Sequence, residues 1–183
     1  MSGKVFMEKD EIYQKMLTKV IMFLAYKPRT RKEISVRLGR YLKSQKDLDD
    51  EIKKDIAYKI FEYLEENKLI DDEEFIKLFI ESKTRGKKAL GKKAIENKLI
   101  AKGIDKEDAG RYINAAINEE DELKAAVRLI ERKFGLAIST AEALDQNHKG
   151  KDDIKTKMGR YLLSRGFSYS ISRQAVDYLL KRP

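Results

Sequence analysis

Two stretches of this chain follow one seven-residue pattern. Leu99-Ile100-Ala101-Lys102-Gly103-Ile104-Asp105 and Leu162-Leu163-Ser164-Arg165-Gly166-Phe167-Ser168 both read apolar, apolar, small, basic, glycine, apolar, cap. Ile95 and Met158 precede them at matching distance. Such a stretch ends one helix and starts the next. Glycine enters the left-handed backbone region that terminates a helix without a Cβ clash. The Asp or Ser two residues later accepts hydrogen bonds from the first free amides of the following helix. A unit of this kind in tandem buries apolar surface inside itself and against its neighbour, leaving long faces for binding. The expected fold is therefore all-α, an elongated tandem array of three three-helix repeats.

The residues between these marks support that reading. The chain contains only two prolines, Pro28 and Pro183, and is rich in Lys, Glu, Leu, Ile and Ala, which favour helix. A first helix is predicted over 9–26 after a frayed 1–8, with Ile12, Met16, Val20, Phe23 and Leu24 on one side; Pro28 stops it. Thr30-x-x-Glu33 forms a capping box for the second helix. Ile52, Ile56, Ile60 and Leu64 mark a third, ending near Asn67. Asp71 or Asp72 caps a fourth, whose Phe75, Ile76, Phe79 and Ile80 face a core; the next is predicted over 92–102, and Asp105 caps a sixth. The last set opens at Glu119 or Glu120, is expected to break at Gly135, resumes at Asp152 or Asp153 and finishes with a helix capped by Ser168. The repeats are expected over 1–68 (with an N-terminal extension), 69–118 and 119–183.

Charge bounds the function. The formal charge is +9 and the pI about 9.4, which favours a polyanionic partner: nucleic acid, an acidic protein surface or an anionic membrane. Cysteine is absent, excluding disulfides and thiolate chemistry and fitting a reducing compartment. The longest apolar run, Val20 to Tyr26, is far too short to span a bilayer, so a cytoplasmic protein is expected. After Glu81 come Lys83, Arg85, Lys87, Lys88, Lys92 and Lys93 with no acid among them, across a break bracketed by Gly86 and Gly91. This run is the strongest binding candidate, weighed against a merely solvated face. A second patch holds Lys27, Arg29, Arg31, Lys32, Arg37 and Arg40; a third holds Lys155, Lys157, Arg160 and Arg165. Phosphate contact without base specificity is the natural use of such faces. Tyr161 and Tyr169 can stack on bases but are better read as flanking the core.

Catalysis finds little support. Asp71-Asp72-Glu73-Glu74 can be read as a divalent-metal cluster, but capping and the helix dipole explain adjacent acids at a helix start. The lone histidine, His148, is predicted in a polar loop with no partnered nucleophile. No Gly-Lys-Ser/Thr phosphate motif appears. No catalytic, cofactor or metal residue is assigned, and no cofactor is expected.

Three blocks then carry a family resemblance. They are Phe23-Leu24-Ala25-Tyr26-Lys27-Pro28-Arg29-Thr30-Arg31-Lys32-Glu33-Ile34 with Leu38; Leu69 to Phe75 with Gly91, Ile95, Leu99 and Lys102-Gly103-Ile104-Asp105; and Lys157-Met158-Gly159-Arg160-Tyr161-Leu162-Leu163-Ser164-Arg165-Gly166-Phe167-Ser168. In this order and spacing they resemble the RecX family of bacterial recombinase regulators. Two departures stand out: Ala89-Leu90-Gly91 replaces the Gly-x-Gly of many members, and the segment 41–51 is extended. The resemblance implies a non-enzymatic regulator made of three-helix repeats. It would bind the groove of a RecA–DNA filament and modulate filament growth, ATPase and strand exchange, with inhibition the expected direction. The setting it implies is homologous recombination, DNA repair and the SOS response. Expected partners are a RecA-type recombinase filament and single- or double-stranded DNA without sequence preference; the protein is expected to be a monomer. Filament or DNA contacts are expected at Lys83, Arg85, Lys87, Lys88, Lys92 and Lys93, with Arg29, Arg31, Lys32, Lys157, Arg160 and Arg165 behind them. The alternative is a stand-alone basic helical DNA-binding protein or transcription regulator, with Thr30 to Tyr41 as its recognition helix.

Overall fold

The computed structural model describes residues 2–86, 88–143 and 148–181. Among the described residues there are nine helices and no strand, in three successive triplets. The first is α1 (Ser2–Tyr26), α2 (Arg31–Lys43) and α3 (Asp50–Glu66). The second is α4 (Asp72–Thr84), α5 (Lys92–Ala101) and α6 (Lys106–Ala116). The third is α7 (Glu119–Ala143), α8 (His148–Ser164) and α9 (Tyr169–Leu180). The all-α fold in three-helix repeats is thus the one the sequence pattern dictates.

Three boundaries differ from expectation. α1 begins at Ser2 rather than near Lys9. α7 runs through Gly135 instead of ending there. A glycine ends a helix only where the chain turns left-handed, as Gly103 and Gly166 do at φ +91° and +83°; Gly135 does not. Within a helix glycine costs only about 1 kcal/mol relative to alanine. α8 starts at His148, so that residue opens a helix.

Packing divides the chain into two compact units. The first is Met1–Phe75 with Lys102–Ile104. Its core takes Met16 and Val20 from α1, Ile34, Leu38 and Leu42 from α2, and Ile56, Ile60 and Leu64 from α3. All recur at four-residue steps, the period that keeps one helix face inward. At the start of α2 the capping box is complete. The Thr30 Oγ1 accepts from the Glu33 amide (3.2 Å), and the Thr30 amide donates to Glu33 Oε2 (3.3 Å). Thr30 is fully buried, because its hydroxyl also donates to the carbonyl of Lys102 at 2.6 Å. The Lys102 ammonium meets Glu33 Oε1 at 2.7 Å, and the stem of Lys32 lies across Gly103. One cap therefore starts a helix and seats the 102–104 turn.

The second unit is Ile76–Ala101 with Asp105–Pro183. Its core joins Ala125, Ala126, Leu129 and Ile130 of α7 to Met158 and Leu162 of α8 and to Ile171, Ala175, Val176 and Leu179 of α9. Alanines at the α7–α9 contact leave room for a close backbone approach. Phe167, from the turn before α9, and Ala89, from the α4–α5 connection, enter the same core.

The Glu33 cluster makes the first unit acid-sensitive. Burial pushes the Glu33 carboxyl up. The hydrogen bond from Lys102, the Thr30 amide, and the charges of Lys102 and Arg29 outweigh that and hold it below the usual 4.5. A depressed folded-state value stabilises above the unfolded value and is lost as pH falls through the folded one. Glu33→Gln is expected to lower the urea midpoint at neutral pH. The gap to the native chain should close as pH drops below 4.5; a gap unchanged with pH contradicts this.

Candidate nucleic-acid interface

The basic connection between α4 and α5 is held by backbone. α4 ends at Thr84, and Gly86 turns the chain at φ +93°. The Leu90 amide closes back on the Lys83 carbonyl at 2.9 Å, and Ala89 is buried. Gly91 then meets the α8–α9 turn directly. Its amide donates to the Arg165 carbonyl (3.0 Å), and the Lys93 amide donates to the Gly166 carbonyl (3.2 Å). A Cβ on Gly91 would lie 2.3 Å from the Gly166 oxygen and the Phe167 nitrogen. A Cβ on Gly166 would lie 2.4 Å from Ala94. No side chain fits on either partner.

The remaining free amide of α5 finds an acid. Lys92 N donates to Glu122 Oε1 at 3.1 Å, and Glu122 is buried. Sequence reading missed this role among four consecutive acids. The available signal was spacing: position 122 lies on the inward stripe continued by Ala126, Leu129 and Ile130.

The clamp gathers part of the expected cation set. Lys92 and Lys93 follow Gly91, and Arg165 supplies the carbonyl it binds. Lys88 is exposed in the connection. Lys83 lies over the Phe79 ring at 5.1 Å. Lys87 lies outside the described residues. Several of these charges are already met. Arg85 pairs with Glu81 one turn back, Lys93 with Glu96 at 2.7 Å, and Lys157 with Asp153 at 2.6 Å. Among the described residues Lys92 reaches the neutral Asn114, at 3.4 Å. Arg165 donates to the Tyr161 hydroxyl at 3.4 Å and lies over its ring. Arg160 is exposed on α8. Among the described residues no carboxylate lies within salt-bridge range of Lys83, Lys88, Lys92, Arg160 or Arg165.

A groove of about 730 Å³ opens beside the connection between α4, α6 and α7, floored by Ile80, Ile117 and Ala125. Its neighbour of about 260 Å³, at Gly86 and Ala89, is lined by Arg128 and Arg132 and by no acid. These arginines were not among the expected residues. They stand one turn apart on the outward face of α7, which places them with Arg85 and Gly86 only once the helices pack.

The first unit treats its expected cations differently. Arg31 pairs with Glu65, lies 4.7 Å from the Phe61 ring centre, and gives its amide to Asp72 Oδ1 at 2.9 Å. Arg29, its side chain 14% exposed, lies 4.1 Å over Phe23. Lys32 packs its stem on Gly103. Asp71 Oδ1 accepts the Glu74 amide at 2.9 Å. Asp71 and Asp72 are thus occupied by backbone amides, and among the described residues no group of three or more acids, histidines or cysteines is arranged to hold a metal. Tyr161 packs edge-to-face on Phe134 at 5.9 Å under Lys133 and Arg165, flanking the core, whereas Tyr169 is 70% exposed.

Comparison with known proteins adds the kinship. The chain is 32% identical over 152 residues to "Regulatory protein RecX" of Finegoldia magna, covering 83% of this chain and 65% of that protein. It is 30% identical over 106 residues to "Regulatory protein RecX" of Lactococcus lactis subsp. cremoris, covering 56% of this chain and 36% of that protein. The chain therefore spans less than two thirds of the length of both relatives. The fold resembles a crystal structure of RecX from Lactobacillus salivarius, with a TM-score of 0.65 at 22% identity over 93% of this chain and 97% of that one. A second crystal structure, of a regulatory protein RecX, gives 0.68 at 20% identity over 97% and 80%. No family model matches the chain.

The glycine contact yields a direct test. Gly91→Ala is expected to destabilise the protein by about 2 kcal/mol or more, because only backbone can move aside. Gly39→Ala, on α2 with nothing within 4 Å of the added carbon, is expected to be neutral or to stabilise by up to about 1 kcal/mol. Urea unfolding compares the two; equal effects would contradict the contact.

Proposed function

This chain belongs to the RecX family, and on that premise we propose that it is a non-enzymatic regulator of a RecA-type recombinase. It docks along the groove of the recombinase–DNA filament and lowers filament growth, ATPase turnover and strand exchange. The three triplets, taken as repeats over 1–68, 69–118 and 119–183, supply an array in which one repeat bridges neighbouring protomers. Basic faces then approach DNA phosphates. Binding one filament state more tightly than another shifts assembly by the difference in affinity. The protein acts as a monomer, in the cytoplasm, without a cofactor. Among the described residues no helix is long and apolar enough to cross a membrane.

The observation that carries this reading is the clamped α4–α5 connection. A lysine-rich segment without fixed geometry loses side-chain and backbone entropy on binding. Here backbone bonds from Gly91 and Lys93 to the α8–α9 turn fix the segment beforehand, and Lys88, Lys92 and Arg165 keep unneutralised charge. The recognition-helix alternative is disfavoured by the start of α2, where Thr30 is buried under Lys102 and Arg31 is paired with Glu65.

Binding to bare DNA, to recombinase alone and to the assembled filament, each across a salt series, tests the proposal. The filament is expected to bind tightest. Lys88→Glu with Lys92→Glu should weaken filament binding at least tenfold, about 1.4 kcal/mol, with native helicity. Undiminished affinity, or equal affinity for bare DNA and filament with one salt slope, would reject it.

A further inference from the structure

The first unit carries a second cationic surface, built on a different principle. Lys19, Tyr41, Arg37, Phe23 and Arg29 alternate cation and ring. The Lys19 ammonium lies 5.1 Å from the Tyr41 ring centre. The Arg37 guanidinium lies 5.0 Å from that ring and 5.5 Å from Phe23. The Arg29 guanidinium closes the series 4.1 Å from Phe23. The helix period makes this possible: Lys19 and Phe23 stand one turn apart on α1, and Arg37 and Tyr41 one turn apart on α2. The Arg37 Nε also donates to the Tyr41 hydroxyl at 2.7 Å.

These cations are fixed without being neutralised. A ring face attracts a guanidinium but leaves its charge and its N–H edge available for an oxygen acceptor. Among the described residues no carboxylate lies within 4.0 Å of Lys19 or Arg37. Arg29 has only Glu33, at 3.9 Å, and that carboxylate is engaged by Lys102 at 2.7 Å. The Arg29 Nε is buried with no hydrogen-bond partner among the described residues, a donor whose desolvation no hydrogen bond offsets. Each of these marks separates the group from Arg31, which is held by Glu65.

We propose that this cation–aromatic ladder is a phosphodiester-binding strip, a nucleic-acid contact of its own in addition to the α4–α5 connection. The inference rests on the reading that the protein works on nucleic acid, and it adds which side chains bind and why. A row of like charges with rings between them suits a ligand whose charges repeat along a backbone. A phosphate chain provides that without ordering a separate flexible side chain for every contact, as an acidic peptide must. Stacking pre-arranges the planar guanidinium, so geometry as well as charge contributes.

Binding of the full chain to a fluorescein-labelled oligothymidylate, across a salt series, tests it with charge-removing and charge-preserving variants. Arg37→Gln is expected to weaken binding roughly threefold to tenfold and to lower the salt slope by about one. Arg37→Lys and Tyr41→Leu retain the ladder's charges and are expected to weaken binding roughly threefold with the slope unchanged. Arg37 is exposed, so its two variants should melt with the native chain and decide the matter even if Tyr41→Leu is unstable. Affinities within twofold of native for both Arg37 variants, while Lys88→Glu with Lys92→Glu abolishes binding, would overturn the ladder and leave the nucleic-acid reading standing. No binding by the native chain would overturn that reading itself. Competition by polyglutamate as effective as unlabelled oligothymidylate at equal charge would overturn the phosphodiester assignment in favour of an acidic protein.

Discussion

Where Gly91 meets Gly166, two stretches of backbone lie closer than any side chain permits. Much of the second unit's surface follows from that approach. It gives the amides of Gly91 and Lys93 their acceptors, holds the end of the α4–α5 connection, and fixes where Lys92 and Lys93 begin. The first unit uses a related joint. There the N-cap of α2, Thr30, gives its hydroxyl to the carbonyl of Lys102, just before Gly103. In the second unit the residue before α5, Gly91, gives its amide to the carbonyl of Arg165, just before Gly166. In both, the residue preceding a left-handed glycine presents its carbonyl to a helix start. The first joint uses a side-chain donor and a capping box. The second dispenses with side chains, and Glu122 replaces the missing cap.

Much of this was legible from the chain. The paired motifs at Gly103 and Gly166 announce helix ends, and Thr30-x-x-Glu33 announces a helix start, because each is a local matter of backbone amides and carbonyls. The four-residue steps of Ile52, Ile56, Ile60 and Leu64 suffice to place α3. Other features are not local. Gly91 read as a loop boundary; its contact with residue 166 is created by packing. Gly135 carries the same residue type as Gly103 but lies inside α7, without the left-handed φ that ends a helix. Arg31 looked like a binding cation until Glu65, far along the sequence, stood beside it.

The same distinction governs the charges. A net charge of +9 says how strongly the molecule attracts polyanions, not where. Exposed ion pairs one turn apart, such as Arg85–Glu81 and Lys157–Asp153, are worth little to stability, but they leave less of the cation's charge for a ligand. The cations that remain are held by other means: by backbone in the α4–α5 connection, and by aromatic rings between α1 and α2. Under the proposed function both surfaces would meet a recombinase filament, and the packing gives each a physical basis.

Amide hydrogen exchange at Gly91 and Lys93 tests the central claim most directly. If their bonds to Arg165 and Gly166 hold the connection, both amides should exchange as slowly as those in the cores of α8 and α9, and far more slowly than Lys88. Exchange at the rate of an open loop would mean the connection is not clamped, and the fixed cationic surface would lose its foundation.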